Sequence, residues 1–143
     1  MGPLTDFAQY CPSHAYVPGQ SPRHAADQFA PILDAFDRTQ PIDTFGDTLA
    51  FQVGLFFLDQ GFYWECHEVI EPLWIAAPDH SAEKVFFQLV IQIANACLKK
   101  RMARDKAHDR LCTISTGLAD DLTRSGIHMV YGVHVRQLLQ YIT

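Results

Sequence analysis

At 143 residues, 48% of them hydrophobic and 12% aromatic, the chain is long enough to enclose a core of its own and is expected to form one domain. Its formal net charge of -5 argues against a generic nucleic-acid binder. No apolar run approaches the roughly 20 residues of a membrane-spanning helix, and no basic, apolar leader opens the chain. Cys11, Cys66, Cys97 and Cys112 are far apart with no C-x-x-C pair, a spacing of neither a zinc knuckle nor a disulfide framework, so a reducing cytoplasm is the expected compartment.

Residues 1–24 carry Pro3, Pro12, Pro18 and Pro22 with Gly19 between the last two, which predicts an extended arm rather than a helix. Tyr10, Tyr16 and Val17 are its candidate anchors. His14 and His24, isolated within it, are expected to face solvent, as loop residues generally do. Residues 25–143 are expected to form a single helical domain. A short helix is predicted from about Pro31 through Phe36, ended by Thr39-Gln40-Pro41. Residues 42–46 read as a linker. The first strongly patterned helix spans 47–60, with Asp47 as N-cap or first-turn acid. Leu49, Phe51, Val53, Leu55, Phe56, Phe57 and Leu58 surround its axis, so it should be central or lie at a subunit interface, and a homodimer is expected. Gly61 is the natural break after it.

The next helix, 62–76, carries the chemistry. At about 100° per residue His67, Glu71 and Trp74 share a face with Tyr63 and Ile70, while Glu65 and Glu68 turn away, Glu65 furthest. That face is the more apolar one and is expected to be buried. A buried carboxylate must be neutral, hydrogen-bonded or bound to a cation. One imidazole nitrogen and one carboxylate oxygen a helical turn apart form a workable pair of metal ligands, although two ligands alone are few. His67-Glu68-x-x-Glu71 differs from the zinc-protease pattern H-E-x-x-H by a glutamate in place of the second histidine, which argues against protease chemistry. The other reading is a hydrogen-bonded pair that ties helices together. Pro72 removes a backbone hydrogen bond and is expected to kink or restart the helix.

Ser81 is placed to cap a helix over 82–103, with Glu83 in its first turn. Its apolar face is Val85, Phe86, Leu89, Val90, Ile93, Ala96 and Cys97. Gln88, Gln92 and Asn95 form a polar stripe leading toward Lys99, for which two readings stay open: Gln92 faces His67 and Glu71, or the stripe faces solvent. Lys99, Lys100, Arg101, Arg104, Lys106 and Arg110 concentrate six of the 11 basic residues near a helix end, where such charges complement the dipole and stay hydrated. Residues 105–123 form an amphipathic helix through Leu111, Ile114, Leu118 and Leu122, with His108 expected to be exposed in its first turn. A short connection containing Gly132 leads to a last short helix over 134–141. No Gly-rich phosphate loop and no G-x-S-x-G occurs.

Two motifs carry a resemblance to a known family. Gly61-x-Tyr63-Trp64-Glu65-x-His67-Glu68-x-x-Glu71-x-x-Trp74, followed by Phe87-x-x-x-Ile91-Gln92-Ile93-Ala94, resembles the domain of unknown function 309 (DUF309). The resemblance covers roughly residues 47–122, with weaker similarity in Tyr16-Val17-Pro18-Gly19 and the last helix. It implies a compact helical bundle and a metal-binding role for His67, Glu71 and Trp74, without an assigned activity. The chain departs from the family pattern at Pro72, near Lys99, where members often carry a histidine, and at Met102 and Ala103, where they often carry Gly-Asn. A missing ligand there implies weaker metal binding.

The sequence therefore predicts an all-α compact bundle of about five helices, with an extended Pro-rich N-terminal arm. Its candidate pocket comprises Tyr63, His67, Glu71, Trp74 and Gln92. In this reading His67 and Glu71 hold a divalent metal or a small molecule, Glu71 as ligand or general base and His67 as ligand or proton carrier, with Trp74 as a wall. The alternative is a structural or interaction protein, homodimeric, in which His67 and Glu71 only hold helices together. Neither a membrane nor nucleic acid is an expected partner, and no reaction or substrate follows from the residues.

Overall fold

The computed structural model describes residues 7–143; the part of the expected arm that contains Pro3 lies outside the described residues. The four strongest apolar patterns are the four long helices: α2 (Leu49–Gln60), α3 (Tyr63–Ala76), α4 (Ala82–Arg101) and α5 (Asp105–Arg124), preceded by a single turn, α1 (Ala30–Leu33). The fold is an all-α bundle, as expected. Each long helix packs on the next in sequence, so α4 is sandwiched between α3 and α5 and α2 covers α3. Among the described residues no helix is long and apolar enough to cross a membrane.

Local chemistry explains the helix ends. Thr48, not Asp47, caps α2, its Oγ1 accepting the Phe51 N–H at 3.1 Å; Asp47 instead closes a 3-10 turn, Ile42–Asp47, in the stretch expected to be a linker. Gly61 sits at φ 85°, and the Phe62 N–H reaches back to the Phe57 carbonyl at 2.8 Å, which ends α2 in a left-handed turn that a side chain would strain. Ser81 caps α4 as expected, accepting the Lys84 N–H at 3.1 Å.

Two expectations need correcting. Pro72 does not restart its helix as a separate piece: α3 runs unbroken from Tyr63 to Ala76. The proline leaves the Glu68 carbonyl without its helical donor, but Val69, Ile70 and Leu73, all fully buried around it, hold the helix across the gap. The last helix is a 3-10 segment, Arg136–Ile142, and the connection before it is a small antiparallel hairpin, β1 (Met129–Val130) and β2 (Val133–His134), paired Met129 to His134 and Val130 to Val133.

The hairpin tip plugs the core. Tyr131 takes φ 50° and Gly132 φ 78°, the left-handed pair that a two-residue hairpin turn requires. The Tyr131 ring lies 5.3 Å from that of Phe51 and 5.8 Å from that of Phe87, and its hydroxyl donates to the Ile42 carbonyl at 2.5 Å. Burial pushes the phenol up, out of its usual range. Tyr131→Phe is expected to lower stability by about 1 to 2 kcal/mol, because the Ile42 carbonyl loses its donor; urea denaturation measures it.

Much of the apolar circumference of α2 is covered within the chain, while Leu49, Leu55 and Phe56 stay half-buried. Ala50, Phe51, Val53, Phe57 and Leu58 are buried, and half-buried Phe56 is met by Phe7 at 6.1 Å. Gly54 allows α2 and α3 to approach: a Cβ there would stand 2.4 Å from Ile70 Cδ1.

Candidate functional site

The enclosed carboxylate of this protein is not Glu71 but Glu65. Glu65 stands in the first turn of α3 and is 0% exposed. The segment after Cys11 folds back over that turn. Glu65 Oε2 accepts the Tyr16 backbone N–H at 2.7 Å and bonds His24 Nε2 at 2.6 Å. In the tautomer that carries its proton on Nε2, the ring donates to the same oxygen that accepts the Tyr16 N–H. The His24 side chain is 4% exposed, which corrects the expectation that it faces solvent. Glu65 Oε1, equally enclosed, has no hydrogen-bond partner among the described residues.

The arm is shaped for this contact. Ser21 Oγ accepts the Val17 N–H and donates to the Ala15 carbonyl, both at 2.8 Å, and His14 Nε2 bonds the Pro22 carbonyl at 2.7 Å. Rings enclose the His24 imidazole: Phe29 edge-on at 5.5 Å, Trp64 at 5.9 Å and His14 at 4.7 Å. Gln20 ties the far side of the arm to the end of α4 by donating to the Arg101 carbonyl at 2.9 Å.

Beside this pair lies an open cleft of about 190 Å³. His24 is one wall. Phe29, Leu33 and Trp64 supply apolar surface, and Arg23 and Glu68 supply opposite charges. Burial is the largest cause that raises the Glu68 carboxyl above its ordinary range; His67 pulls it back, and Glu71 pushes it further up.

The residues expected to form one pocket are dispersed. His67 Nε2 and Glu71 Oε2 do meet, at 2.7 Å, but with side chains 27% and 44% exposed, so the pair lies at the surface rather than in the core. The Arg101 guanidinium lies 4.5 Å from the Tyr63 ring centre and donates to the Gly61 carbonyl at 2.6 Å, so this basic residue is part of the framework and not merely hydrated. Lys84 Nζ sits 5.1 Å from the Trp74 ring centre. Gln92 is half-buried and makes no hydrogen bond to His67 or Glu71 among the described residues. His108, expected to be exposed, is half-buried, with Nδ1 bonded to the Ala96 carbonyl at 2.8 Å.

The packing of α3 explains why His67 and Glu71 lie near the surface. The buried arc of α3 consists of Glu65, Cys66, Val69, Ile70 and Leu73. At about 100° per residue its centre lies more than a quarter turn from His67 and nearly half a turn from Glu71. Aromatic residues drew the expected face toward Tyr63 and Trp74, yet each of these is half-buried under a long basic side chain. His67 and Glu71 bond each other, and among the described residues no group of three His, Cys, Asp or Glu side chains is placed to hold a metal ion. The residues present therefore do not fit a metal centre built from protein ligands.

The family described as Domain of unknown function (DUF309) matches residues 51–111. Comparison with curated proteins and with solved structures gives no match. The matched segment holds most of α2, all of α3 and α4 and the start of α5, and so contains Glu65 and Glu68, whereas Arg23 and His24 come from outside it. Over that segment the chain is similar to DUF309, a family of unknown function.

Proposed function

We propose that this domain binds a small polar molecule in the cleft between residues 23–33 and α3. One observation carries the reading: His24 is at once the partner of a wholly enclosed carboxylate and a wall of an open cleft. Titratable groups converging on apolar walls are the usual make-up of a ligand site. Glu65 holds the imidazole in one orientation and tautomer, as a carboxylate behind a working histidine does. Trp64 and Phe29 offer faces for an apolar part, and Glu68 and Arg23 offer charge. The volume, about 190 Å³, falls below the roughly 300 to 1,000 Å³ of sites for drug-sized ligands, which restricts the ligand to a small metabolite-like molecule.

The test uses the two tryptophans. Trp74→Phe leaves Trp64 as the sole indole, so its emission reports on the cleft. A panel of small amines, amino acids and carboxylates is expected to contain compounds that change this emission and raise the melting temperature. Glu68→Gln is expected to weaken them while leaving the far-ultraviolet circular dichroism unchanged. A folded protein that responds to no member of the panel would defeat the reading.

Two further readings have their own checks. A divalent cation at His67 and Glu71, implied by the family resemblance, would have to take its remaining ligands from water; stoichiometric metal in the purified protein, lost in His67→Ala, would establish it. A homodimer would cover the half-buried Leu49, Leu55 and Phe56 of α2; light scattering at micromolar concentration decides.

A further inference from the structure

Arg23 and Glu68 line one cleft with opposite charges, yet neither makes an ion pair among the described residues. Their fields reach each other, since each affects the other's protonation, but they do not close into a bridge. Arg23 is held at a distance by Tyr16, whose hydroxyl accepts its Nε–H at 3.4 Å and whose ring centre lies 5.7 Å from the guanidinium carbon. That contact leaves the terminal nitrogens of the guanidinium, a planar fork suited to a carboxylate, uncommitted. Glu68 accepts no hydrogen bond among the described residues, and burial already disfavours its charge, so a cationic donor would stabilise it. Glu65 and Glu71 add negative potential on the neighbouring turns of α3. His24, a lining residue of the same cleft, bonds Glu65 through Nε2, and its Nδ1, which has no hydrogen bond among the described residues, is an acceptor when the ring is neutral. The rest of the lining is His24, Ala25 and Ala26 with the apolar surfaces of Phe29, Leu33 and Trp64.

Resting on the cleft reading above, we infer that the ligand is a small zwitterion of the α-amino acid class with an apolar side chain. Its ammonium group is taken by Glu68 and His24, its carboxylate by Arg23, and its side chain by Phe29, Leu33 and Trp64. Glu65 touches no ligand in this arrangement and is a positioning residue for His24. A molecule with one charge would leave either Glu68 or Arg23 as it is without ligand. A molecule with both would supply two charge-assisted contacts at once.

The experiment uses the whole chain carrying Trp74→Phe, with Trp64 emission and calorimetry as readouts. The probes are alanine, valine, leucine and phenylalanine, and for each the matching amine without the carboxyl group and the matching carboxylic acid without the amino group. At least one amino acid is expected to bind, with both of its truncated partners weaker by about tenfold or more, the loss of one charge-assisted hydrogen bond. Glu68→Gln should weaken the amino acid and the amine but not the acid. Arg23→Gln should weaken the amino acid and the acid but not the amine. An amine or an acid that binds as tightly as its amino acid overturns the zwitterion while leaving the cleft as a binding site. No change in Trp64 emission with any probe, in protein with native circular dichroism, overturns both.

Discussion

Glu65→Ala is expected to lower the stability of the domain by about 3 to 5 kcal/mol, the usual cost of removing one partner from an enclosed carboxylate–imidazole pair. The loss has three parts. The His24 Nε2 is left unpaired among rings, the Tyr16 N–H loses the acceptor it has among the described residues, and a cavity opens in the first turn of α3. His24→Ala should cost a similar amount for the converse reason: the carboxylate stays enclosed, with one oxygen already unpartnered and the other reduced to a single donor. The two effects should not add. The double variant is expected to be more stable than their sum by about 1 to 3 kcal/mol, because the second substitution removes a group that the first has already orphaned. Urea denaturation of the four proteins closes the cycle. In Glu65→Ala the segment 12–24 should also become the first site cut by a nonspecific protease, since that bond is what holds it on α3. A variant within about 0.5 kcal/mol of the parent, the range of ordinary surface changes, would show that the pair does not anchor the arm.

Gly54→Val is expected to cost about 3 kcal/mol or more, at the upper end of overpacking effects. A Cβ at Gly54 would lie 2.4 Å from Ile70 Cδ1, 2.6 Å from Ile70 Cγ1 and 3.3 Å from Val69 Cγ2, and both of those side chains are fully buried. The two methyls of valine would then have to force α2 and α3 apart. Gly54→Ala is a milder case. The strain of its single methyl, about 1 to 3 kcal/mol, is offset by up to about 1 kcal/mol of gained helix propensity, and Ile70 can withdraw the end of its side chain. Combining Gly54→Ala with Ile70→Val removes the clashing Cδ1 and should recover part of the loss. Thermal melts of the series measure it. If Gly54→Val melted with the parent, the close crossing of α2 and α3 would be wrong.

The long helices were legible because each carries its own information. Leu49 through Leu58, Val85 through Cys97 and Leu111 through Leu122 repeat with the period of a helix, and Ser81 and Gly61 mark ends by their own chemistry. Such signals are local, so they survive whatever the rest of the chain does. Two features of the arm and the tail were not local in this way. Residues 129–134 show too few residues for a strand pattern, and the hairpin depends on Tyr131 finding Phe51, Phe87 and the Ile42 carbonyl, 89 positions away in the last case. The bond between His24 and Glu65 spans 41 positions and leaves no periodicity in either segment.

By itself the sequence determined the all-helical architecture and identified α3 as the element bearing histidine and carboxylates. Only the tertiary structure decided which carboxylate lies out of water. A helical wheel ranks faces by the residues they carry, whereas burial depends on what packs against each face. Here α2 and α4 cover Cys66, Val69, Ile70 and Leu73, and the returning arm covers Glu65, bringing with it the imidazole and amide that make its burial tolerable. No segment covers His67 and Glu71 so fully, and they remain a pair near the surface.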